Sequence, residues 1–120
     1  MSALDRFQSL AFLLQEISRC QVEIEKTQRI KARLNGGGHP AMDELIEILS
    51  VRATKSQDEA QWCFDKMAPV EKTDPVLFQV LSLRFIEGAP WERVAKQIPA
   101  AGSAEAIKKR VYRWLATLEE

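Results

Sequence analysis

From Ala3 to Leu34 apolar side chains return every three or four positions, at Leu4, Phe7, Leu10, Leu14, Ile17, Ile24 and Ile30 or Leu34, with no proline or glycine between. That period predicts one long amphipathic helix. The run Asn35-Gly36-Gly37-Gly38-His39-Pro40 ends it, because asparagine and glycine accept a left-handed cap and proline cannot continue the hydrogen-bond ladder. A second helix is predicted from about Ala41 to Met67. Asp43 and Glu44 lie beside the positive end of its macrodipole, and Leu45, Leu49, Ala53, Ala60, Cys63, Phe64 and Met67 share one side. The short connection makes the two helices an antiparallel hairpin. Facing residue numbers then sum to about 75, which sets Leu34 against Ala41 and Ile24 against Val51.

After the hairpin the pattern shortens. Ala68-Pro69-Val70-Glu71-Lys72-Thr73 reads as a connector, and Asp74-Pro75 opens a third helix with an acidic cap and proline at the first helical position. This helix presents Leu77, Val80, Leu81, Leu83 and Phe85 or Ile86 and ends at Gly88. Ala89-Pro90 starts a fourth, which presents Trp91, Val94, Ala95 and Ile98. Pro99-Ala100-Ala101-Gly102 stops it, and Ser103 caps a fifth. The fifth turns Ile107, Val111, Trp114, Leu115 and Leu118 inward and Lys108, Lys109, Tyr112 and Arg113 largely outward. No strand pattern or internal repeat is visible. The expected fold is all-α, with a long helical hairpin over residues 1–68, a connector over 69–74 and a three-helix helix-turn-helix over 75–120.

Charge sharpens this picture. The 120 residues carry 17 Lys/Arg and 17 Asp/Glu, yet residues 1–74 hold 10 basic against 12 acidic side chains, whereas residues 84–113 hold 7 against 3. Neutrality overall therefore conceals a basic C-terminal segment. In a helix-turn-helix the first helix crosses the phosphate backbone and the second enters the major groove. Here the fourth helix is the support, with Arg93 and Lys96, and the fifth is the reader, with Ser103, Glu105, Lys108, Lys109, Tyr112 and Arg113 as candidate DNA-binding residues. Four to six phosphate contacts correspond to a log-log salt slope on the order of −4 to −5.

The same residues carry a resemblance. Leu83-Arg84-Phe85-Ile86-Glu87-Gly88-Ala89-Pro90-Trp91-Glu92-Arg93-Val94-Ala95 resembles the LRYxxGxTWEEIA run of the sigma region 4-like helix-turn-helix proteins of phages and prophages, including the ArpU/RinA-like late-gene regulators. Ser103 to Arg110 is similar to the SRETVRR opening of the region 4 recognition helix, and the match spans roughly residues 75–118. The resemblance implies transcriptional regulation through duplex DNA, with Glu105, Lys108 and Lys109 at positions that touch it. It also leaves departures. Four residues separate Ile98 from Ser103 where region 4 has two, Ala104 stands where a base-reading arginine is found, and Pro90 stands where a serine or threonine cap is common. Two alternatives remain open on these residues: a DNA-packaging protein resembling a small terminase subunit, and a protein that holds RNA polymerase or another regulator without touching DNA. The hairpin's apolar stripe can also pair with a second copy; a monomer or homodimer favours regulation and a ring of many subunits favours packaging.

The remaining chemistry-bearing residues point to no enzyme. Gly36-Gly37-Gly38 is not followed by Gly-Lys-Ser/Thr, so it reads as a turn and not as a phosphate loop. His39 is the only histidine and has no acidic or thiol neighbour at ligand spacing. Asp43, Glu44 and Glu47 read as helix-start charges, and Trp62, Trp91 and Trp114 as packing residues. Cys20 and Cys63 fit free thiols in a reducing compartment. No nucleophile, base and orienting group can be assembled, and neither metal nor cofactor is expected. The apolar run Leu10 to Leu14 is cut by Gln15 and Glu16, too short for a secretory signal or a membrane span, so a cytoplasmic location is expected.

Overall fold

The computed structural model describes residues 1–34 and 39–119. Its elements are α1 (Ala3–Gln8), α2 (Leu10–Arg33), α3 (Pro40–Thr73), α4 (Pro75–Leu81) running into a π-helical turn (Ser82–Ile86), α5 (Trp91–Gln97), a 3-10 turn (Pro99–Ala101) and α6 (Ala104–Ala116). Among the described residues there is no strand, and the protein is all-α. The expected glycine turn at residues 35–38 lies outside the described residues.

Two sequence expectations change. The single helix from Ala3 to Leu34 is broken at Ser9, which ends α1 by donating both its N–H and its hydroxyl to the Asp5 carbonyl, at 3.2 and 3.0 Å. The connector at residues 68–73 is instead helical, since α3 runs through Pro69 to Thr73. Proline there removes one ladder donor, but Pro69 is exposed while Val70 on the next position is buried, and continuing the helix is what buries Val70. Asp74 N–H then closes the helix on the Val70 carbonyl at 2.8 Å.

The chain forms two compact units, Phe12–Glu59 and a second made of Met1–Ala11 with Ala60–Glu120. Residues 1–11 and 60–73 thus share a unit with the C-terminal helices.

In the unit 12–59, α2 and α3 are antiparallel. Cys20, Leu49 and Ala53 form its core with Ile24 packed against them, and Lys31 pairs with Asp43. Ile24 thus packs on this core, while Val51 points to solvent at 64% exposure, contrary to the expected pairing of Ile24 with Val51. Leu45 is likewise exposed, as are Ile30 and Leu34. The seam also buries Glu16, Thr27 and Ser56. Glu16 is matched by Arg19 and, at 3.9 Å, by Arg52.

In the other unit Phe7 is fully buried and meets Trp62 of α3, Phe85 of the π-helical turn and Trp114 of α6, with ring centroids 6.0, 5.3 and 5.4 Å away. Such tilted and edge-to-face contacts suit the quadrupoles of aromatic rings. The same unit also buries Met67, Val80, Leu81, Val94, Ile107 and Val111. Ala3 N–H donates to the Glu119 carboxylate at 2.6 Å, tying α1 to the end of the chain.

Asp74 caps α4 as expected, accepting from Leu77 N–H at 3.2 Å, and its second carboxylate oxygen pairs with Arg110 of α6. Replacing Asp74 with alanine is expected to cost about 1 kcal/mol, chiefly through the cap. The ion pair is partly solvated and adds little. Asp74→Asn keeps the cap and is expected to stay within about 0.5 kcal/mol of wild type in urea unfolding; equal losses in both variants would refute that division.

Both cysteines are free and buried. Burial pushes the Cys63 thiol from its ordinary 9.0 up to about 11, with the Arg6 charge partly opposing it. The unfolded chain ionises first on raising the pH. The stability contributed by the neutral buried thiol is therefore constant below about pH 9 and is lost as pH rises toward about 11. In a Cys20→Ala protein at pH 8, disulfide-exchange reagents should label Cys63 only as fast as the unit opens; immediate labelling would contradict this.

Candidate nucleic-acid interface

Ser103 begins α6. Its hydroxyl accepts from Ala106 N–H at 3.2 Å, and Gly102 before it takes φ +103°, a backbone region that disfavours any side chain. This glycine lets the chain leave the 3-10 turn and enter α6 within two residues. The expected absence of a side-chain cap on α5 is also seen, since Pro90 sits at that position.

The inward sides of α5 and α6 carry Val94, Ile98, Ile107, Val111 and Leu115, all buried. At about 100° per residue, Glu105, Lys109, Tyr112 and Arg113 occupy an arc of about 100° on the opposite side of α6. All four are exposed, and the exposed neighbours Ala106 and Ala116 add no bulk to that face. Thirteen residues make α6 about 20 Å long, enough to lie along a major groove. Arg93 and Lys96 are exposed on α5.

Lys108 is placed differently from the expectation. It is half-buried on the flank of α6, with its ammonium 5.8 Å from the Tyr112 ring, and not in the centre of the exposed face. Arg110, basic by count, is engaged by Asp74. The outward cations of α6 are thus Lys109 and Arg113, flanked by Lys108.

One arrangement was not foreseen. The Arg84 guanidinium lies over the Trp91 ring at 4.4 Å and donates to the Ala89 carbonyl at 3.1 Å, and Trp91 in turn meets Tyr112 edge-on at 6.3 Å. The chain Arg84, Trp91, Tyr112, Lys108 fastens the π-helical turn, α5 and α6 along one edge, two rings edge-on in the middle with a cation at each end. Tyr112 is thereby anchored at its ring while remaining exposed. The only sequence signal was an aromatic residue on each of two neighbouring helices, Trp91 at the start of α5 and Tyr112 in the later half of α6, which periodicity alone does not pair.

Among the described residues no group of His, Cys, Asp and Glu side chains could hold a metal, and no helix is long and apolar enough to cross a membrane. Compared with protein-family models, with curated proteins and with solved structures, the chain matches none of them.

Proposed function

We propose that the protein binds double-stranded DNA with the exposed face of α6, α5 being the support of a sigma region 4-like helix-turn-helix, and that it regulates transcription of phage or prophage genes. The observation that carries this reading is the division of α6 into a buried side fixed on α5 and an exposed side bearing Lys109 and Arg113 with little bulk around them. Lys109 and Arg113 neutralise phosphates and can donate to guanine O6 and N7, while Glu105 can accept from the cytosine amino group. The Tyr112 hydroxyl donates to a phosphate oxygen, as do free N–H groups in the first turn of α6, where the helix dipole favours an anion. Arg93 and Lys96 on the support helix serve the backbone. The resemblance of residues 83–95 and 103–110 to phage regulators supplies the transcriptional part of the proposal.

Fluorescence anisotropy with a labelled duplex, repeated between about 50 and 200 mM salt, tests it. The expected slope of log affinity on log salt is on the order of −4 to −5. Absence of binding at the lowest salt, or binding indifferent to salt, would refute the DNA reading. Recovery of a preferred sequence from a random duplex pool would separate a regulator from a protein that holds DNA without reading it.

A further inference from the structure

The α2–α3 pair of the unit 12–59 fills its seam with Leu49 and Ile24 beside small or polar residues and leaves other large apolar side chains outside. Cys20, Ala53, Thr27 and Ser56 are buried, whereas Ile30, Leu34, Leu45 and Ile48 are exposed by 40, 47, 45 and 49%.

Val22 and Val51, exposed by 54 and 64%, point away from the pair, but these four share one side. Counting about 100° per residue from the seam, Ile30 and Leu34 on α2 and Leu45 and Ile48 on α3 fall on one flank of the pair. Glu16 and Arg52, which meet at 3.9 Å, fall on that flank too and fix its identity. The opposite flank is polar, with Gln21, Gln28, Asp43, Ser50 and Gln57. The apolar positions therefore form a second face on a helix pair that already has its seam.

We infer that this flank binds the same flank of a second copy, giving a parallel two-fold four-helix bundle in which α2 of each chain lies over α3 of its partner. Charge selects both occupant and orientation. In the antiparallel pair Glu23 of α2 stands about level with Val51 of α3, because Lys31 pairs with Asp43 while Cys20, Leu49 and Ala53 share one core. A two-fold axis along the helices keeps levels matched, so Glu23 meets Arg52 across the interface, with Lys55 one turn further on, while Ile30 meets Leu45 and Ile48 and Leu34 lies beyond Leu45. Area agrees. A face two helices wide and some twenty residues long measures roughly 20 by 30 Å, or about 600 Å² per chain, and about 1,200 Å² in total reaches the lower bound of specific interfaces. A self-matching patch of this kind is what a two-fold interface requires.

Sedimentation equilibrium of the full chain from about 1 to 100 µM tests the inference, with circular dichroism to verify helicity. A mass of twice 13.6 kDa is expected. Ile48→Glu, at a solvent-exposed position of the single chain, should weaken the dimer on the order of 100-fold while keeping the helical content, because it places a carboxylate against an apolar partner. Glu23→Lys should weaken it and Glu23→Lys with Lys55→Glu should restore it, an exchange that only the α2-over-α3 arrangement predicts. A monomer at the highest concentration, a larger assembly, or a dimer indifferent to Ile48→Glu would overturn the proposal, and a dimer lost with Ile48→Glu but without charge-swap rescue would overturn its orientation.

Discussion

Phe7→Ala should lower the stability of the unit containing α4 to α6 by about 3–5 kcal/mol, the range for removing a fully buried aromatic side chain from a core. Phe7 is the point at which four segments meet: α1 through its own backbone, α3 through Trp62, the π-helical turn through Phe85 and α6 through Trp114. Its removal forfeits transfer free energy and leaves a cavity walled by rigid rings that close poorly over it. The ring contacts add a further ~0.5–1.5 kcal/mol each in favourable cases. Because Trp62 and Trp114 both touch Phe7, tryptophan emission reports the change directly during guanidinium unfolding. Phe12→Ala, five positions on and 64% exposed, is the control and should move the midpoint little. Losses of similar size in the two variants would remove Phe7 from the centre of the core.

That role was not legible in the sequence, and the reason is physical. Periodicity reports that Phe7 belongs to an apolar stripe, but a stripe does not name the helix that covers it, and the neighbours of Phe7 lie more than fifty residues away. The same blindness misplaced Val51 and Leu45. A summed-number rule sets the level of facing residues in a helix pair but not the rotation of each helix about its axis, and a rotation of one position exchanges buried for exposed. Local chemistry, by contrast, read well wherever the backbone itself demanded a residue type. Asp74 and Ser103 accept the helix-start N–H groups, Gly88 and Gly102 take positive φ at +72° and +103°, and the ends of α4, α5 and α6 fall close to where those residues put them. Pro69 was read as a breaker because proline opposes helix interiors; the burial of Val70, visible only in three dimensions, outweighs that preference. For the candidate interface the sequence supplied the helix and its charges. It could not separate the three cations Lys108, Lys109 and Arg110 by availability, since the Tyr112 ring beside the first and Asp74 beside the third are tertiary neighbours.

That separation makes the second large expected effect specific. At about 0.1 M salt, a phosphate contact with a slope of about −0.9 is worth roughly ten-fold in affinity, so Lys109→Ala with Arg113→Ala should weaken duplex binding about 100-fold and flatten the salt slope by about 2. Arg110→Ala should leave the slope unchanged, because its guanidinium is already held by Asp74; any affinity it loses should follow the small loss of stability. Lys108→Ala should fall between, its ammonium lying beside the Tyr112 ring on the edge of the face. Tyr112→Phe retains the edge-on contact with Trp91 and removes only the hydroxyl, so it should cost a single hydrogen bond, less than ten-fold, whereas Tyr112→Ala should also loosen Trp91 and Arg84 and reduce stability. The order Lys109 and Arg113 first, Lys108 next and Arg110 last is the diagnostic quantity. A protein that attracted DNA by general basicity would lose the same slope for each lysine or arginine removed, in whatever position it stood, and only a defined face of α6 ranks them by what already touches them.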